Sequence, residues 1–579
     1  MINIIKHNQV PNVILRYIMM KFLDIESITN VMLTVKEMNI LDSHSKNFLE
    51  KAVNGFGHNC MAGNLDVVQW LYLVCGVGNI DKGFSCACEN NKLDVAKWLY
   101  SLGKINCLVI NNIFEYMFKL ACRMGYFELA QWLYSVSVSV SVDDEQHLID
   151  IHIEHDYAFR KSCEGGHFNI AKWLYSLGNV DVHAYNDDAF CTACGNGHID
   201  IAKWLIEISG HHIDIHAQKD YAFRYACRNG HMDVVKWLRS MGGIDIHAEK
   251  DHAFIMSCEK GQFEIAKWLV KISQLGCDIE TNAFIPSVDE IKTLHSLGKI
   301  DIHVRDEEAF CMACKNGHYD IAQWLVEISE IGCVLHSLDA ININIHNGYA
   351  FRTCCANGHL DMAQWLYSLG NMYEYITDAF IVACESNRLD VVQWLYSIGC
   401  TNNFAPEIFD SSFCLACGNG GLAVAQWLYS IYPSAINIHE GNDSLFSYVC
   451  HIGHLDVVQW LYSLGDIDIS ANNDSAFRRA CDCNNLAVAK WLYSLAYARS
   501  ANSASLYSLA YARSANSASL YSIGHIDICA ENNDALRTAC RNNYWDIARW
   551  LYSLGKIDIN KVDPVLAKAI EKMLAERYF

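Results

Sequence analysis

The chain has 579 residues, enough for about four ordinary domains at roughly 150 residues each, and its 52% apolar and 19% charged residues supply a core and leave little scope for extensive disorder. Its formal charge of −21 argues against holding nucleic acid or an anionic membrane through a general basic surface. No apolar run reaches the ~18–20 residues that span a bilayer, and the opening Met-Ile-Asn-Ile-Ile-Lys-His-Asn has no signal-peptide pattern, so the expected setting is cytosol or nucleus, with the 26 cysteines reduced.

Residues 1–50 form an atypical segment, predicted to be helical. It contains Val10-Pro11-Asn12-Val13-Ile14-Leu15-Arg16-Tyr17-Ile18, then Phe22-Leu23-Asp24-Ile25-Glu26-Ser27-Ile28, then Val31 to Lys36. These residues resemble an F-box: a Leu-Pro-like opening, apolar residues at helical spacing, a Leu-Asp-x-x-Ser step and a Val-x-Lys-like close. The resemblance implies docking on the Skp-type adaptor of a cullin ubiquitin ligase through Pro11, Ile14, Ile18 and Leu23. Val10 replaces the usual Leu, and the closing Trp is missing. The alternative is a cap on the array that follows.

From residue 51 the chain is periodic. Fourteen of its 15 tryptophans fall in a Trp-Leu step, and the intervals 173→204, 204→237, 237→268, 394→427, 427→460 and 460→491 are all 31 or 33 residues. Such a period marks a repeat array. The unit read from Asp187 is Asp-Asp-Ala-Phe-Cys-Thr-Ala-Cys-Gly-Asn-Gly-His-Ile-Asp-Ile-Ala-Lys-Trp-Leu. Phe190, Ala193 and Cys194 predict one apolar stripe on a first helix. Asp, Asn or Thr three residues before the Phe, as at Asp156, Asp220, Asp251, Thr377, Asp474 and Asn533, is expected to cap that helix. Asn196-Gly197 makes a turn, and Ile201, Ala202 and Leu205 mark a second helix. The connector Gly243-Ile244-Asp245-Ile246-His247-Ala248 suits an extended finger. A unit this small buries its apolar face only against its neighbours.

The unit resembles an ankyrin repeat, with Phe, Ala and Cys where that family has Leu-x-x-Ala-Ala, and Gly-His before an aliphatic second helix. The resemblance covers about 15 units over residues 51–563 and implies an all-α solenoid. The Trp-Leu-Tyr-Ser-Leu-Gly flavour is similar to ankyrin arrays of large DNA viruses of amoebae and of some amoebal proteins; a viral origin would place the chain in a host cytoplasm. The family's Thr-Pro-Leu-His opening is missing, and Trp stands where an aliphatic residue is usual.

The array has irregularities. A degenerate unit is expected near 281–300, where Pro286 follows Phe284 and Thr293 takes the tryptophan slot. Ser135 to Val142 alternates Ser and Val, which reads as a strand or, more simply, as an expanded connector. Residues 492–519 are two copies of Leu-Tyr-Ser-Leu-Ala-Tyr-Ala-Arg-Ser-Ala-Asn-Ser-Ala-Ser, an insertion after Trp491. Residues 564–579 are predicted to form a capping helix.

Little catalytic chemistry stands out. Cys191-x-x-Cys194, Cys311-x-x-Cys314 and Cys414-x-x-Cys417 have zinc-like spacing, but zinc needs four converging ligands, and the second Cys fills the repeat's small buried slot. The Gly-His histidines (His167, His198, His231, His318, His359 and His454) are expected to bond neighbouring backbone, while His183, His216, His247 and His303 sit in fingers. The tryptophans are expected between repeats as core. No metal, cofactor or enzyme activity is expected. What remains is a monomeric binder of protein, without nucleic acid or membrane partners. In ankyrin-like stacks the concave face is lined by fingers and first helices, so the contact set just after each Phe is Arg160, Lys161, Arg224, Tyr225, Arg352, Arg478, Arg479 and Arg537.

Overall fold

The computed structural model describes residues 56–75, 79–103, 107–140, 149–275, 300–330, 340–370, 372–399, 405–434, 436–497, 526, 530–554 and 564–575. Every regular element among them is a helix. The F-box-like segment with Pro11, Ile14, Ile18 and Leu23, the degenerate unit at 281–300 except Ile300, and all of the 492–519 insertion beyond Tyr497 lie outside the described residues. The chain forms two compact modules, Met1–Ser257 with Glu264–Gly298, and Cys258–Phe263 with Lys299–Phe579.

In the first module the helices come in pairs. These are α1 (Phe56–Ala62) and α2 (Leu65–Cys75), α3 (Ile80–Glu89) and α4 (Leu93–Ser101), and α5 (Cys107–Met124) and α6 (Phe127–Val140). Then follow α7 (Ile153–Glu164) and α8 (Phe168–Ser176), α9 (Ala184–Gly195) and α10 (Ile199–Ile208), α11 (Ala217–Asn229) and α12 (Met232–Ser240), and α13 (Ala248–Glu259) and α14 (Phe263–Leu275). The second module continues with α15 (Val304–Lys315), α16 (Tyr319–Glu330), α17 (Ile345–Asn357), α18 (Leu360–Leu369), α19 (Ile376–Glu385), α20 (Leu389–Gly399), α21 (Pro406–Gly418) and α22 (Leu422–Ile431). It ends with α23 (Glu440–Ile452), α24 (Leu455–Ser463), α25 (Ala471–Asp482), α26 (486–497), α27 (Ala530–Arg541), α28 (Trp545–Ser553) and α29 (Pro564–Ala575).

Within each module a first helix typically packs on its own second helix and on the next first helix, as α9 does on α10 and α11 and α23 does on α24 and α25. Phe190, Ala193 and Cys194 are each 0% exposed, so the predicted stripe is the core. Ile201, Ala202 and Leu205 meet it from α10. In the finger, Ile244, Ile246 and Ala248 are buried, while Asp245 and His247 between them keep partial access to solvent.

The turn between paired helices closes with His198 N–H donating to Ala193 O and Gly197 N–H to Cys194 O, a helix end that needs a left-handed residue. Gly197 supplies it at φ +83°. Where the glycine is absent, Asn91, Asn387, Asn484 and Asn543 take the same conformation, the non-glycine residue that tolerates it best.

Two expectations need correction. The Ser-Val tract is helical rather than strand or connector from Ser135 to Val140, because α6 continues through Val140. A helix already nucleated propagates cheaply, whereas a lone strand would leave its backbone groups unpaired. Buried Ser137 then accepts the Ile149 N–H at 2.9 Å, and Ser329 at the end of α16 does the same for Ile341 at 3.3 Å. The tryptophans are not full core either. Trp268 is buried, and the others whose side chains are described are half-buried, wedged between successive second helices.

Candidate interaction surface

What holds repeat to repeat determines what is left over for a partner. Along the second helices, the Tyr two residues after one Trp packs edge-on against the next Trp. Tyr100–Trp132, Tyr175–Trp204, Tyr396–Trp427 and Tyr462–Trp491 have centroids 5.4–5.8 Å apart at 84–90°, the favoured T-shaped geometry of aromatic pairs.

At the turns, Gly-His imidazoles reach back to the backbone of the preceding repeat. His167 Nε2–H donates to Arg123 O at 3.0 Å, His198 to Glu164 O at 3.1 Å and His318 to Glu259 O at 3.0 Å. The expected backbone bond is therefore an inter-repeat tie. The Asn two residues ahead of the histidine adds a second: Asn196 Nδ2 to Glu164 O, Asn229 to Gly195 O and Asn357 to Lys315 O, at 2.6–2.8 Å. Burial lowers the His198 and His359 pKa values, outweighing the opposing hydrogen bonds to Glu164 and Lys315 backbone, and the Arg388 charge adds to it at His359.

The start of the first helix holds what the sequence reading missed. Three consecutive residues sit in the left-handed region in eight repeats, for example Glu154-His155-Asp156 and Gln218-Lys219-Asp220. Each such residue costs about 1–2 kcal/mol, so something must hold the turn. The third residue, expected to cap its own helix, aims its carboxylate elsewhere. Asp156 is 4% exposed; Oδ1 accepts His152 Nδ1–H at 2.7 Å and Oδ2 accepts the Asp181 N–H of the next finger at 3.0 Å. The pattern repeats in His183–Asp187–Asp214, His216–Asp220–Asp245 and His439–Asp443–Asp468. A buried carboxylate must be bonded, and each is bonded across the joint. The recurring His-x-x-x-Asp spacing was the signal available in the sequence.

Four of the eight expected contact residues complete this turn. Arg160 Nε and Nη2 donate to the His155 and Glu154 carbonyls at 2.9 and 3.1 Å. Arg224 does so to Lys219 and Gln218, Arg352 to Asn347 and His346, and Arg478 to Asn473 and Asn472. The free Nη1 of three of them spans to the next repeat: Arg160 to Asp188 at 2.6 Å, Arg224 to His252 at 2.8 Å and Arg478 to Asp534 at 3.3 Å. Arg160 and Arg224 are each 8% exposed. The other four are more open. Lys161 is ion-paired to Glu164, Tyr225 stacks on Tyr221 at 3.9 Å, Arg537 is half-buried and Arg479 is exposed.

The cysteines behave as small core residues. Cys191, Cys194, Cys311, Cys314 and Cys417 are buried, and Cys414 partly so. Burial raises Cys191 and Cys311 to about 12 and Cys194 further, so they are poor nucleophiles. Among the described residues no group of three or more His, Cys, Asp or Glu is placed to hold a metal ion, and no helix is long and apolar enough to cross a membrane.

Paired helices, left-handed fingers and nearest-neighbour ladders define an all-α repeat solenoid. Comparison with known families places ankyrin repeats (many copies) at residues 190–239 and ankyrin repeats (3 copies) at 310–405. These stretches carry ankyrin repeats, a fold that typically serves as a non-catalytic scaffold for protein–protein interaction. No curated protein matches it.

Proposed function

We propose that the chain is a non-catalytic protein-binding solenoid that presents its first helices and fingers to a protein target. One observation carries this. The side chains that recur from repeat to repeat are consumed by inter-repeat ties, whereas the position two residues after the Phe changes identity and in most repeats keeps access to solvent. It is Leu120, Lys161, Thr192, Tyr225, Met312, Thr353, Tyr448 and Arg479 among others, with Tyr448 46% exposed, and is buried at Cys86 and Met256. Tyr116, two residues before Phe118 on α5, is 55% exposed. A fixed interior with an outer row that varies from repeat to repeat, Tyr and Arg among its residues, suits an interface. The test is capture from a eukaryotic lysate by full-length protein, compared with Tyr116→Asp, Tyr448→Asp and a Lys97→Glu control on a second helix. Loss of partners in the first two with unchanged melting supports the reading, and capture indifferent to both removes it.

The F-box-like residues support a second reading, a substrate-recognition adaptor of a cullin-type ligase. In the same capture, Pro11→Ala and Leu23→Ala would then lose the Skp-type adaptor and cullin while keeping the target. Retention of ligase components in both variants, or their absence from the unaltered protein, sinks it.

A further inference from the structure

We propose that residues Val10–Ile18 of this same chain dock on the open side of α1 and α2 and cover Val67. One slot, compared across repeats, carries this. The residue three before each Trp lies on the core side of the second helix. In the first module it is Val95, Leu129, Ile170, Ile201, Val234 and Ile265, all 0–3% exposed. In α2 the same slot is Val67, which is 41% exposed, although Val68 and Leu71 on the same helix are 0% and 2% exposed. The helix is therefore seated on the core of its own pair. What differs is the neighbour, since α1 and α2 have no described pair before them. An apolar side chain left in water where the rest of the array buries it forfeits the transfer energy of its exposed area, and the end units of a solenoid need a cover for that reason.

The chain's own start is the cover that fits. Residues 1–55 lie directly before α1, outside the described residues, and are more than twice as long as the pair at 56–75. Val10, Val13, Ile14, Tyr17 and Ile18 fall at i, i+3, i+4, i+7 and i+8, the spacing of one apolar helix stripe, which needs an apolar mate. A second copy stacked end to end is the poorer occupant. At the other end of the array α29 packs on α27 and α28, with Leu566 and Ile570 2% and 0% exposed, so that end already carries its cover. Ile14 and Ile18 are shared with the adaptor reading, so an adaptor and the end of the array would compete for one stripe.

The test places the photoreactive amino acid p-benzoylphenylalanine at Val67 in the full-length protein, and in a control at Lys97, exposed on α4. After irradiation, peptide mapping should find position 67 joined to residues 10–18 of the same chain, and position 97 not. Joining to another part of the chain, joining between chains that grows with protein concentration, or no joining at all overturns the proposal. In a second full-length variant, Ile14→Asp with Ile18→Asp should speed amide exchange across 65–75 about tenfold. Exchange across 217–229 should stay unchanged, which shows that the rest of the module remains folded. Exchange across 65–75 that ignores the substitutions overturns the proposal as well. Neither readout involves a target or an adaptor, so the outcome is independent of both readings of function.

Discussion

Tyr493 and Trp550 meet edge-on, with ring centroids 5.8 Å apart and planes at 89°, the same contact that Tyr462 makes with Trp491 at 5.4 Å and 90°. Their repeats are therefore direct neighbours, although the duplicated tract separates them in sequence. Phe477 also touches Trp550, and Arg478 reaches Asp534. Deleting residues 492–519 brings Trp491 to Leu520-Tyr521 and offers Tyr521 as the new partner for Trp550. The deletion should fold and melt within a few degrees of the full chain, since loop closure depends only weakly on length. A large drop measured by circular dichroism would show that the tract supports the joint.

The arginines divide into clamps and surface residues, and stability separates the two. Arg224→Ala strips the Lys219 and Gln218 carbonyls of their donor in a left-handed turn, and should cost about 2 kcal/mol. Arg479→Ala should stay within about 0.5 kcal/mol. Urea unfolding of both gives the comparison, with amide exchange across 217–229 as the local readout. Equal effects would mean that the clamp is not needed.

The turn histidines set an acid limit. Burial depresses His198 and His359, so the unfolded chain binds more protons than the folded one around their ordinary pKa of about 6.5. Their contribution is present above that pH and is lost as pH falls through the lowered folded values. The melting temperature should fall from pH 7.5 toward pH 5.5. Asn485 fills the same slot and donates to His451 O at 2.6 Å, so His198→Asn with His359→Asn should keep the ties and flatten this part of the dependence. An unchanged pH slope would place the acid sensitivity elsewhere.

Gly421 occupies the turn-histidine slot with no side chain, and Asn387 fills the space, its Nδ2 donating to Asn419 O at 2.9 Å. A Cβ at Gly421 would collide with the Asn387 amide. Gly421→Ala should therefore destabilise, by about 1–3 kcal/mol as for an overpacked site, and Asn387→Ala in the same chain should relieve part of it. A thermal melt of the single and double variants decides, and an additive result would refute the contact.

Of the 20 cysteines whose side chains are described, 18 are buried, and Cys414 and Cys483 are partly exposed. Cys483 takes the bridging-Asn position of its turn and lies 3.3 Å from His451 Nδ1. Burial and Asp482 raise its pKa, while burial pushes Cys414 up to about 11. Among the described cysteines, iodoacetamide on the native protein should label these two first, and more slowly than an unperturbed thiol. Peptide mapping that finds Cys194 or Cys227 modified at the same rate would contradict the packing.

The helices and their core were legible because their signals are local: Phe190, Ala193 and Cys194 at helical spacing, and Gly197 at the turn. The ties were not, because they join residues that only the stack brings together. Asp220 reads as a cap from its own neighbourhood, yet its partners are His216 and the next finger's Asp245. Arg224 reads as a surface cation because sequence does not show that Gln218 and Lys219 turn left-handed beneath it. Trp204 reads as core from its apolar neighbours, yet it is half-buried even with Phe159, Phe168 and Tyr175 around its ring.

The Asp220 carboxylate, the Arg224 guanidinium and the His198 imidazole each reach only the adjoining repeat. Under tension applied along a module, these ties pass load only from one repeat to the next. Each joint should rupture separately, giving a sawtooth of similar forces in which every event frees about 30 residues, roughly 100 Å of contour length. Such a molecule lengthens in steps when pulled and re-forms in steps when released.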